Sequence, residues 1–176
     1  MLQQTLRSGE WEQLPEPIRR AHEPEIERRG KFRIGRGRGL ASRFLARIFR
    51  LPETAAEVEA RLLIVTEDGC ERWQRSFAGT PFRTLQSRAG DSMIERWGYI
   101  EVRFAPRVED RCLRYEQTGA AFRAGRLCVP LPRSLAPRVE AHESVVSAEC
   151  VGVSVKVTVP LIGLLIEYEG IVEVGQ

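Results

Sequence analysis

The sequence predicts a mainly β chain of the α+β kind. About nine short strands should form a curved antiparallel sheet, or a lipocalin-like or helix-grip-like barrel. Three observations carry this. From Ala60 onward apolar and polar residues alternate with a period of two. Turn-forming residues such as Asp68-Gly69, Gly90-Asp91 and Glu109-Asp110 recur at hairpin spacing. The helical patterns all lie ahead of that region, so no helices separate the strands as a parallel sheet would need.

The first thirty residues read as helix and turn. Leu2, Leu6, Trp11, Leu14 and Ile18 recur at roughly helical spacing, and Pro15 and Pro17 divide the run into short helices. Lys31–Ile34 reads as a short strand leading into Gly35-Arg-Gly-Arg-Gly39. Residues 40–51 form an amphipathic helix that Pro52 stops. Leu40, Phe44, Leu45, Ile48, Phe49 and Leu51 make its apolar face, and Arg43, Arg47 and Arg50 the other. Phe44, Ile48 and Phe49 should be buried against the sheet.

Strands follow at 61–66, 71–77, 82–88, 92–96, 99–105 and 112–118. Residues 125–137 carry three prolines and should be irregular or an edge. Strands 139–147 and 151–159 make a hairpin, and 164–174 is the last strand. In 151–159, Val151, Val153, Val155 and Val157 share one face and should point into the core.

At 176 residues the chain fits a single domain spanning 1–176, with the helical segment 1–30 packed on it. Its charged share of 29% and net charge of +3 are those of an ordinary folded protein. Of the 27 basic residues 25 are Arg, a bias that a GC-rich genome accounts for, although arginine forks also match carboxylates and phosphates. Cys70, Cys112, Cys128 and Cys150 form no C-x-x-C pair and fall in or beside strands. The N-terminus lacks the apolar core of a secretory signal, so reduced thiols and a cytoplasmic location are expected. The longest apolar run, Val157–Ile166, is too short to span a bilayer, so no transmembrane segment is expected.

Catalytic signatures are sparse. The chain has no G-x-S-x-G elbow, no P-loop and no H-E-x-x-H. His142-Glu143 lacks the second His of a zinc motif, so neither metal nor cofactor is expected. The glycines at 35, 37 and 39 are not a dinucleotide fingerprint, because Leu40 follows and no βαβ unit is evident. Glycines ahead of a helix start can nevertheless hold an anion, and Arg36 and Arg38 flank them. Residues 28–50 hold nine basic side chains and no acidic one. A glycine turn with a solvated basic helix face, its charges met by strand acids, explains the same pattern. No aromatic interleaving or recognition motif accompanies the arginines, so nucleic acid is not an expected partner.

Four strands carry mixed faces whose orientation alternation cannot fix: Trp73/Arg75/Phe77, Tyr99/Glu101/Arg103, Leu113/Tyr115/Gln117 and Glu140/His142. If such faces line a barrel, Trp73, Arg75, Arg103 and Tyr115, with Arg36 and Arg38, would bind a ligand. His22, Glu140 and His142 would then be the candidates for acid–base chemistry.

Five stretches resemble a bacterial family of unknown function, DUF4166. They are Trp11-Glu-Gln-Leu-Pro-Glu-Pro-Ile-Arg-Arg-Ala-His22, the run from Gly35 to Pro52, Glu71-Arg-Trp-Gln-Arg-Ser-Phe77, Leu131-Pro-Arg-Ser-Leu-Ala-Pro137 and the run from Val159 to Gly170. The resemblance covers nearly the whole chain. It implies no established activity and no catalytic residues to carry over. Members resembling it occur alone or behind a saccharopine-dehydrogenase-like NADP-binding domain, which implies a redox-enzyme partner. The expectation from residues and resemblance together is binding of a small apolar or amphipathic, even anionic, molecule in a barrel. An isomerase, cyclase or hydrolase acting on such a ligand is the alternative, and an interaction module beside a redox enzyme a third.

Overall fold

The computed structural model describes residues 1–175. Three short helices open the chain: α1 (Leu2–Thr5), α2 (Glu10–Gln13) and α3 (Glu16–Ala21). Strand β1 (Arg28–Arg36) leads to helix α4 (Leu40–Ile48). Then come β2 (Ala55–Glu67), β3 (Cys70–Phe77), β4 (Thr80–Ala89), β5 (Ser92–Trp97), β6 (Ile100–Glu109) and β7 (Cys112–Ala124). The last four are β8 (Leu127–Pro130), β9 (Arg138–Ser147), β10 (Cys150–Val159) and β11 (Gly163–Glu173).

Every pairing is antiparallel. The pairs run in chain order from β1 to β7, skip from β7 to β9, continue to β11 and close on β1. The result is a closed barrel of ten strands, with β8 hanging outside on β7. The mainly β expectation holds. The proline-rich stretch expected to be irregular or an edge supplies this outside strand. The ring is closed most thinly between β7 and β9, where register is kept only over Leu113↔Glu143, Arg114↔His142 and Tyr115↔Ala141.

Closure follows from local chemistry. At Asp68-Gly69 both φ angles are positive, 50° and 75°, as the two-residue hairpin turn requires. Bulges on β2, opposite Phe32/Ile34 of β1, and on β7, opposite Arg103/Phe104 of β6, add the local twist that curls a sheet. The pleat sends Val58, Ala60 and Ile64 inward from β2, while Glu57, Glu59 and Arg61 face out. Outward positions elsewhere pair as Lys31–Glu57 and Arg33–Glu169, each at 3.3 Å. This charged outer belt is the reverse of the apolar band on a membrane-spanning barrel. No helix among the described residues is long and apolar enough to cross a membrane.

The two ends of the barrel differ. The β1 start, the β10 start and the β2–β3 turn lie at one end, where α1–α3 plug the opening. Leu2, Leu6, Leu14 and Ile18 join the same hydrophobic core as Val151, Val172 and Leu113. Helix α4 sits across the opposite end, over β11 and β1.

Its orientation corrects the expected buried face. Phe44 and Ile48 are exposed, and Phe49 is half-buried. The inner side of α4 consists of Ser42 and Ala46, with Leu45 and Phe49 beside them. Gly37 explains the rotation. A Cβ there would stand 1.9 Å from the Leu164 carbonyl and 2.3 Å from Ser42 Oγ. The backbone before α4 therefore lies against β11, and Ser42 Oγ donates to Leu164 O at 2.7 Å. At such an approach only small residues fit underneath, and the bulky ones are turned outward. Gly37 is thus a close-packing device, whereas a side chain at Gly39 would meet open space.

Val151 is fully buried, and Val153, Val155 and Val157 point inward as expected, packed against the core. The cysteines are all free. Those at 70, 112 and 150 are half-buried where strands begin, and Cys128 is exposed on β8.

Candidate functional site

The barrel is hollow. A cavity of about 330 Å³ occupies its interior. Packed interiors hold few voids larger than a single water, so a space of this size is an open site rather than a packing defect.

Its wall is graded. Toward α4 it is apolar: Val155, Val157, Val159, Leu165, Leu45 and Phe49, with Trp97 and Ile100 opposite. Phe49 and Trp97 meet at 4.7 Å between centroids, and Trp97 meets Phe82 edge-on at 5.4 Å, so an aromatic ledge crosses this mouth. Leu131, Leu135 and Pro137, from the segment between β8 and β9, complete the rim.

Deeper, polar side chains converge from five strands and one helix: Arg75, Glu95, Tyr115, Glu143, Tyr168 and His22. His22 caps the C-terminus of α3, one helical step beyond Leu14 and Ile18, so the buried stripe of the N-terminal segment ends in an imidazole. Its Nε2 lies 2.9 and 3.1 Å from the two Glu143 oxygens. The Tyr115 hydroxyl donates to Glu143 Oε1 at 2.9 Å and stands 3.4 Å from His22 Nε2. Trp73 packs against the edge of the imidazole, with centroids 5.2 Å apart. Arg75 lies over the Trp73 ring at 4.8 Å, donates to Thr84 Oγ1 at 3.0 Å and sits 3.6 Å from Glu95. No hydrogen bond joins the Tyr168 hydroxyl to another described residue. Its donor, like the uncommitted N–H groups of Arg75, is available to whatever fills the cavity.

The electrostatics follow from burial and neighbours. Burial pushes the Glu143 carboxyl up, but His22, the hydrogen bonds from His22 and Tyr115, and Arg75 outweigh it and hold the group below its ordinary value. Burial, reinforced by the Glu143 charge and hydrogen bond, lifts the Tyr115 phenol well above its ordinary value. Burial lifts Tyr168 too, with Arg75 opposing. Burial pulls the Arg75 guanidinium down, but Tyr168, Glu95, Tyr115 and Glu143 raise it overall. At neutral pH the floor therefore carries the Arg75 cation, an ionised Glu143 and two neutral phenols.

The candidates named from sequence fall into two sets. His22, Trp73, Arg75 and Tyr115 line the cavity together. Arg36, Arg38, Arg103, Glu140 and His142 lie outside it. Arg36 Nη1 bonds Glu53 at 2.6 Å and its other terminal nitrogen bonds the Leu51 carbonyl, so it ties β1 to the segment after α4. Arg38 is exposed beside the glycines. Arg103 points outward, because Val102 and Phe104 take the inner face of β6. Glu140 and His142 point outward for the same reason: Val139, Ala141 and Glu143 form the inner face of β9. Glu143, Glu95 and Tyr168 were not singled out as site residues from the sequence. Each continues an apolar alternation, and a polar group at such a position was the available signal.

Fold and site together define a helix-capped, hollow antiparallel barrel with an apolar mouth and a polar floor. The chain belongs to the family Domain of unknown function (DUF4166), whose model matches residues 14–171. No curated protein matches it. A solved structure similar to it is a protein of unknown function from the DUF3598 family of Nostoc punctiforme. The two are 12% identical with a TM-score of 0.46, and the match covers 86% of this chain and 50% of that one. The chain thus spans about half the length of that protein.

Proposed function

We propose that the barrel binds one mainly apolar small molecule with a single uncharged polar end. The carrying observation is the graded cavity, apolar at the α4 mouth and polar at the floor. Clefts of about 300 Å³ and above, mostly apolar with a few placed polar groups, are the usual form of small-molecule sites. The apolar body lies against Val155, Val157 and Leu165. The polar end reaches Arg75 and Tyr168, which have donors to give.

Charge balance selects the end group. Arg75 already faces Glu95 and Glu143, so a carboxylate beside it would be a third acid in a poorly solvated site. A hydroxyl, carbonyl or ester oxygen accepts from Arg75 and Tyr168 without that cost. The test is a set of molecules with one alkyl chain and an alcohol, methyl ester, carboxylate or amine end, titrated into solvent-extracted protein and followed by tryptophan fluorescence. The alcohol and ester should bind at 1:1 and the amine and carboxylate at least tenfold more weakly. Arg75→Met should erase the preference. A carboxylate binding as tightly as the alcohol would contradict the choice of end group.

A second reading, an acid–base enzyme, is supported by the His22–Glu143–Tyr115 contact, because a carboxylate-oriented histidine is a common base. Against it, the Tyr115 hydroxyl is already committed to Glu143, which leaves only the second imidazole nitrogen of His22 to act. Recovery of every bound ligand unaltered after long incubation supports binding. Conversion that His22→Gln abolishes would support the enzyme.

A further inference from the structure

The mouth end of the barrel differs from the rest of the surface in two independent ways. First, it is apolar. In α4, Leu40, Phe44 and Ile48 recur every fourth residue and form one outward stripe, 83%, 65% and 55% exposed. Tyr99 in the β5–β6 turn, Leu135 in the segment before β9 and Leu161 in the β10–β11 turn are exposed at the same end, Leu161 completely.

Second, it is basic. The connections there carry Arg38, Arg43, Arg47, Arg50, Arg126 and Arg133, all exposed and none in an ion pair among the described residues. The one acid among these connections is Glu53, and it already bonds Arg36. At the opposite end the sign reverses. The chain's three aspartates, Asp68, Asp91 and Asp110, all sit in or beside turns there, alongside Glu149 and the acid-rich helical segment.

We infer that this mouth face docks on an anionic phospholipid bilayer, with Leu40, Phe44 and Ile48 of α4 entering the headgroup boundary and the six arginines meeting lipid phosphates. An apolar stripe between guanidinium groups fits such a surface on both counts. A nucleic acid would satisfy the arginines alone and leave the stripe facing water. The segregation of charge also orients the molecule, mouth toward the membrane and acidic end away. This goes beyond the cavity reading and uses none of the floor residues. Docked this way, the mouth would face the bilayer, and a membrane-borne ligand could pass to the cavity without crossing bulk water.

The experiment is flotation of the intact chain with vesicles of phosphatidylcholine alone and of phosphatidylcholine mixed with phosphatidylglycerol. Binding should be confined to the mixed vesicles and fall steeply as salt is raised. Each arginine near the surface contributes about fivefold, so Arg43→Gln with Arg47→Gln should weaken binding by more than tenfold. Phe44→Glu with Ile48→Glu should abolish it, and circular dichroism should show both variants folded, since all four side chains are exposed. Arg61→Gln with Arg72→Gln, on the barrel flank, should bind like the parent. A chain with its cavity filled by Ala141→Phe should still float, which separates this inference from the cavity reading. No flotation with mixed vesicles, equal flotation with phosphatidylcholine alone, or full binding by the Phe44/Ile48 variant would each overturn it. So would RNA bound more tightly than the vesicles.

Discussion

Replacing Glu143 by Gln tests whether the polar floor holds the barrel together where its ring is thinnest. Glu143 sits in the three-residue β7–β9 register, accepts from Tyr115 at 2.9 Å, meets His22 at 2.9 Å and is buried. Hydrogen bonds to a charged partner contribute about 1.5–3 kcal/mol net each, and removing one member of a buried charged set costs about 3–5 kcal/mol. The amide oxygen of Gln can still accept one of the two bonds, so about 2–3 kcal/mol is expected at pH 7. For a chain of this size each kcal/mol moves the melting midpoint by roughly 2–4 °C, which makes the shift about 4–12 °C.

The pH dependence gives the sharper check. The folded carboxyl titrates below its ordinary value of 4.5. Its stabilisation is therefore fully present above pH 4.5 and is lost as pH falls through the lower folded value. The parent should lose its advantage over Glu143→Gln on that descent, and the two should converge in acid. Urea unfolding from pH 7 to pH 3 measures this. A difference below about 0.5 kcal/mol at pH 7, or one equally large at pH 3, would refute the argument.

Three further outcomes follow from packing. Phe44→Ala should change stability by less than about 0.5 kcal/mol, while Phe49→Ala, which strips the aromatic ledge from Trp97, should cost above about 1.5 kcal/mol; thermal unfolding of the pair reads the rotation of α4 directly. Gly37→Ala should cost at least about 1–3 kcal/mol by urea unfolding, because its Cβ meets a β11 carbonyl at 1.9 Å. Tyr115→Phe combined with Glu143→Gln should show a coupling above about 1 kcal/mol in a double-mutant cycle, since the two side chains share a hydrogen bond.

Much of the barrel was legible because period-two alternation and hairpin turns are local signals. The valine face of β10 and the Asp68-Gly69 turn needed nothing beyond neighbouring residues. Closure of the ring was not legible, since pairing of β11 with β1 joins residues 130 or more positions apart. The buried face of α4 is not legible from hydrophobicity alone. The helix packs through Ser42 and Ala46, and the reason is a backbone approach at Gly37 that depends on β11.

The site was half legible for a related reason. Trp73/Arg75/Phe77 and Leu113/Tyr115/Gln117 were seen as single faces, and both turn inward. Glu140 and His142 drew attention as titratable groups, yet the residue that matters on β9 is Glu143, in step with Val139 and Ala141. A charge that continues an apolar alternation is a better guide to a barrel interior than a charge with charged neighbours.

The central claim is that the barrel interior is an open site for an apolar molecule. Isothermal titration of solvent-extracted protein with the chain alcohol, run beside Ala141→Phe, tests it most directly. Ala141 faces the cavity between Tyr115 and Val155, and its larger replacement should fold normally because it grows into empty space. The parent should give one site per chain with a negative heat-capacity change, and the filled variant should give no binding. No binding to the parent up to the solubility of the alcohol, or undiminished binding to Ala141→Phe, would contradict the account.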